Sequence, residues 1–151
     1  DPRSVTRALK KFSVHGENRE KVTALLKEIQ KLQLKDNPLA FCFLLRSMFE
    51  ISAKIYCDEQ SPKIPIYEKG DREKSLKDLL QQVVQHLTNN GSNRQTEKEL
   101  HGALTELGTK DRFLSVNSMN QLVHNPNFTV DPSHISNVFF SVFPLLKRLN
   151  S

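Results

Sequence analysis

Apolar residues recur along most of the chain at spacings of three and four, the pattern of helices that each bury one face. Val5, Leu9 and Phe12 mark a short first helix that ends near "VHG". Asn18 reads as the N-cap of a second, whose stripe of Val22, Leu25, Leu26, Ile29 and Leu32 runs to about Leu34. "DNP" then restarts the chain, with Asn37 as cap and Pro38 at the first helical position. The helix that follows, roughly 38–58, is apolar on nearly every side and is expected to be the central, buried one. Residues 59–71 hold two prolines and a glycine and read as an ordered crossover loop, because Pro62 and Pro65 forbid a regular helix.

Beyond the loop, a helix running to about Leu87 turns Leu76, Leu79, Leu80, Val83, Val84 and Leu87 inward, and "TNNGSN" breaks it. "RQTEKELHGALTELG" puts Leu100, Ala103, Leu104 and Leu107 on one face, with Gly108 as the stop. A short helix from about Ser115 to His124 carries Val116, Met119, Leu122 and Val123. Asp131 and Pro132 open a last, thickly apolar helix through Ile135, Phe139, Phe143 and Leu149, which Pro144 is expected to kink. The pattern predicts an all-α bundle of four to five long helices plus two short ones, in a single helical domain over 1–151.

Composition narrows the class. At 151 residues the chain is long enough to bury a real core, and 37% apolar with 26% charged residues is ordinary for a soluble globular protein. The nearest approach to a membrane span, "LAFCFLLRSMF", is interrupted by Arg46, so no membrane partner is expected. Cys42 and Cys57 fall in one predicted helix, about 22 Å apart at its rise per residue, and read as reduced thiols of a cytoplasmic protein. No CxxC pair occurs and the histidines are scattered, so neither a metal site nor a cofactor is expected. The chain opens at Asp1 with no methionine or apolar signal segment and reads as a fragment of a larger protein.

The net charge of +5 is unevenly placed: residues 1–36 carry nine Lys or Arg against five Asp or Glu, whereas 37–124 balance at eleven each. Arg7, Lys10, Lys11, Arg19 and Lys21 are therefore candidate contacts to the phosphates of RNA or DNA. The plainer reading is a set of solvated helix faces. Only Phe12 interleaves with these cations, so a base-stacking groove is not signalled.

Two features bear on chemistry. Arg46 and Glu50 lie four apart on the most apolar helix, where a charge cannot be buried alone. They either satisfy each other or present a polar centre to a ligand, an interface or a second site. In "SMNQLVHNPNF", Asn120 and His124 share one helix face, and an imidazole there is placed to act as a general base or simply to close the helix.

Taken together, "LLRSMFEISAKIY", the later "MNQLVHNPNF" and the closing "VFFSVFPLLKRL" resemble the HEPN-type helical domains of prokaryotic defence and toxin proteins over about residues 18–150. The version most similar lies at the C-terminal end of larger bacterial proteins, some with ParB-like nuclease regions. The resemblance implies a bundle of four to five helices, usually a homodimer with its site at the dimer interface, joined to the other domains of a parent protein. It also implies a metal-independent endoribonuclease in active members, where a histidine assists proton transfer and an arginine four to six intervening residues earlier stabilises the phosphate. His124 matches that histidine and Glu50 stands for a supporting acidic residue on the earlier helix. The positions of the arginine hold Asn117, Ser118 and Met119. Without that cation the expectation is a catalytically degenerate assembly module. The alternative is an endoribonuclease that uses His124 and Asn120 with Arg46 supplied from elsewhere in space.

Overall fold

Caps and prolines set most of the helix starts, as local chemistry requires. The computed structural model describes residues 1–151, and they form eight helices without a strand; the one bridge, Tyr67 with Glu73, is isolated. Helix α1 (Pro2–Lys11) has proline in its first turn and the Asp1 carboxylate accepting from the Ser4 N–H at 3.0 Å. Helix α2 (Glu20–Lys31) begins one residue later than the sequence suggests. Asn18 adopts a left-handed conformation, φ 61°, and Arg19 occupies the cap position without a side-chain capping bond. Helix α3 (Pro38–Glu59) starts at the expected proline, although the Asn37 side chain donates back to the Gln33 carbonyl instead of capping.

Helix α4 (Leu76–Leu87) is capped by Ser75. The stretch expected as one helix over 94–108 is two, α5 (Arg94–Glu99) and α6 (His101–Gly108). Leu100 still donates to Thr96 at 2.9 Å and accepts from Leu104 at 3.0 Å, so the chain bends there without losing its bonds. Helix α7 is only Met119–His124, capped by Ser118. Helix α8 (Pro132–Leu149) opens on the Asp131 cap and passes through Pro144 without ending.

The buried apolar residues form one continuous cluster. Helix α3 lies among α2, α4 and α8, in keeping with its apolar surface. Most of the apolar side of α8 is spent inside the chain: Phe139 stacks on Phe143 at 4.6 Å and meets Phe41 edge-on, while Phe143 meets Phe12. Phe140 alone among its large residues is 43% exposed. Helices α6 and α8 approach closely because Gly102 has no side chain; a Cβ there would stand 2.5 Å from the Ser141 carbonyl oxygen.

A polar staple closes one end. Arg19 is buried, and each of its five N–H groups has an acceptor: both Glu59 carboxylate oxygens at 2.8 Å, the Asn150 side chain at 3.1 Å, and the Glu17 and Leu149 carbonyls. Asn150 in turn donates to Ser52 and to the Leu146 carbonyl. The start of α2 is thereby tied to the ends of α3 and α8. Gly16, at φ 101°, leaves the room that the Arg19 guanidinium occupies. No helix is long and apolar enough to cross a membrane.

Candidate functional site

Arg46 is buried and points away from the role of a free cation. Its guanidinium donates to the Phe113 carbonyl at 2.6 Å and the Val116 carbonyl at 2.8 Å. Burial lowers its pKa, and the charge of Glu50 offsets part of that effect. The two residues do not form an ion pair. Glu50 instead accepts from Lys54 at 3.2 Å, and Lys54 reaches on to Glu73 at 3.4 Å.

Those two carbonyls explain why α7 is short. Residues 112–116 turn around Ser115, whose hydroxyl accepts from the Arg112 N–H and donates to the Thr109 carbonyl. The Phe113 carbonyl, which a helix would bond to Asn117, goes to Arg46, and the Asn117 N–H finds the Gln121 side chain at 3.2 Å. Helix α7 can begin only at Ser118. On it, Asn120 and His124 are both exposed, and neither side chain makes a hydrogen bond. Arg46 thus anchors the segment leading to His124 without presenting a cation to it.

The proposed phosphate contacts divide. Arg7, Lys10, Lys11 and Lys21 are exposed and form no ion pair, and Arg7 makes only a long bond to Ser4. Arg19 is not on that surface, because its donors are all taken inside the staple.

A different group of residues gathers around a cavity of about 320 Å³. One wall is apolar: Cys42 and Leu45 of α3, Phe113, Phe128, and Ile135 and Val138 of α8. The other carries Glu106 of α6, Arg112 and the half-buried His134, with the exposed Lys110, Asp111, Asn127 and Thr129 at the edge. Glu106 is only 7% exposed. Its Oε2 has no hydrogen-bond partner, and its Oε1 lies 3.9 Å from the Arg112 Nε, too far for a hydrogen bond. Burial raises the Glu106 pKa, against the opposing charges of Arg112 and His134. The Cys42 thiol is pushed up to about 12 by burial and Cys57 to about 11, so both are inert thiols.

Sequence reasoning passed over this cavity. It placed Asn127 and Phe128 in the same stretch as His124, yet gave the weight to the histidine. The available signal was the register of α6, where Glu106 falls three residues after Ala103 and beside Leu107, on the inward arc. No three His, Cys, Asp or Glu side chains gather as a metal-binding group. Compared with known protein families, with curated proteins and with solved structures, the chain matches none.

Proposed function

We propose that the chain is a HEPN-like helical assembly module of a larger, cytoplasmic defence-type protein, acting as a homodimer and catalytically silent. One observation carries the reading: Arg46, the arginine expected to stand in for the missing one, is consumed by the Phe113 and Val116 carbonyls. A site that must stabilise charge on phosphate loses its largest electrostatic contribution when no cation is fixed beside the histidine. Asn117 and Ser118, where the family arginine would stand, are engaged in the start of α7.

Assembly is supported by an apolar groove between α2 and α3, lined by Leu32, Leu39, Ala40, Phe43 and Leu44 and edged by Glu28. Phe43 is 41% exposed there, on a helix that otherwise serves the core. A second copy of the chain is the occupant that the family resemblance implies. The exposed, unpaired Arg7, Lys10, Lys11 and Lys21 support contacts to RNA or DNA. Sedimentation velocity at micromolar concentration is expected to show a dimer, and Phe43→Asp a monomer of unchanged helicity. A monomeric wild type would overturn the assembly role.

A further inference from the structure

The cavity beside α6 and α8 is at the lower end of the size range of small-molecule sites, roughly 300–1,000 Å³, and has their mixed lining. One wall is apolar and the other polar, and on the polar side the buried Glu106 carboxylate has no hydrogen-bond partner. Buried acceptors in folded proteins are nearly always satisfied, by protein or by something bound. Nothing in the chain supplies a donor here: the Arg112 Nε stops at 3.9 Å from the Glu106 Oε1, and His134 makes no side-chain hydrogen bond.

The charges restrict what can enter. Lys110 and Arg112 disfavour an organic cation, and Glu106 and Asp111 disfavour an anion. A neutral molecule meets neither penalty. Phe113, Phe128 and Val138 offer an apolar body its contacts, and the Glu106 carboxylate offers an acceptor for one donor.

We propose that this cavity binds a small neutral molecule, with an aromatic or branched aliphatic body and a single hydroxyl or amide donor that bonds to the Glu106 carboxylate, neither oxygen of which has a hydrogen-bond partner within the chain. The site is independent of the His124 chemistry and of the dimer groove. Arg46 supports it as a positioning residue, because its bond to the Phe113 carbonyl holds one wall.

Four probes of matched shape test this by ¹H–¹⁵N NMR titration of the wild-type chain: 4-methylphenol, toluene, 4-methylbenzylammonium and 4-methylbenzoate. Saturable shifts are expected around Glu106, Phe113, Phe128 and Val138, with 4-methylphenol bound about tenfold more tightly than the other three, as one hydrogen bond to a charged acceptor allows. Glu106→Leu should bring 4-methylphenol and toluene to equal affinity. Val138→Phe, which keeps the acceptor but fills the space, should abolish both. Absence of saturable shifts in the wild type would mean the cavity holds water alone and would overturn the proposal. So would toluene binding the wild type as tightly as 4-methylphenol, or preference for either charged probe. If Glu106→Leu does not fold, the wild-type ranking and Val138→Phe decide the matter.

Discussion

Glu106 and Glu59 are carboxylates on one chain with opposite relations to pH. The hydrogen bonds from Arg19 hold Glu59 below the ordinary glutamate pKa, so its contribution is present above that value and is lost as pH falls through the depressed one. Glu106 is raised by burial, so the native state holds its proton longer than the unfolded state does. Stability should therefore fall as pH rises from the ordinary value, about 4.3, through the raised one. Glu106→Gln, which cannot titrate, is expected to remove that decline. Urea unfolding from pH 4 to pH 8 checks this, and an equal decline in both proteins would refute it. In "LTELG" the register sets Glu106 on the inward arc of α6, but nothing there shows that its carboxylate is left without a partner. The side chain's fate depends on what α8 and the 110–113 segment bring against it, and burial of that kind is a tertiary property.

Among elements, the starts of α3 and α8 were legible because proline at the first helical position acts through a few neighbouring residues. The all-α class was equally legible, since helical periodicity is carried along the chain itself. The bend at Leu100 and the late start of α7 were not. The second has a nameable cause, since a guanidinium almost seventy residues upstream takes the carbonyls that would have continued the helix back to Ser115. Arg46→Met keeps much of the apolar stem and leaves the Phe113 and Val116 carbonyls without their donor. A loss of about 2–6 kcal/mol is expected, roughly 1–3 for each of the two buried carbonyls left without a donor. Hydrogen exchange should also quicken in 109–124 ahead of α2 and α4. Uniform quickening across all helices would contradict a local tether.

On the scale of the whole molecule, Arg19 joins three distant stretches, and its assignment to a phosphate-binding surface fails to reckon with the partners the fold brings to it. The basic surplus near the N-terminus was legible as a count, but which of its members face water was decided by Glu59 and Asn150. Arg19→Met should cost about 3 kcal/mol in chemical denaturation, the lower end for a broken buried pair, because Glu59 is 37% exposed and rehydrates. It should also flatten the acid limb that Glu59 supplies. By contrast, the exposed His124 has no structural partner to lose, so His124→Ala is expected to leave stability within about 0.5 kcal/mol of wild type. That makes it a clean probe of whether the molecule works by assembly or by chemistry. The direct measurement is single-turnover incubation of excess protein with end-labelled structured and single-stranded RNA, wild type beside His124→Ala. The account predicts the same background cleavage from both; cleavage by wild type that the substitution abolishes would contradict it.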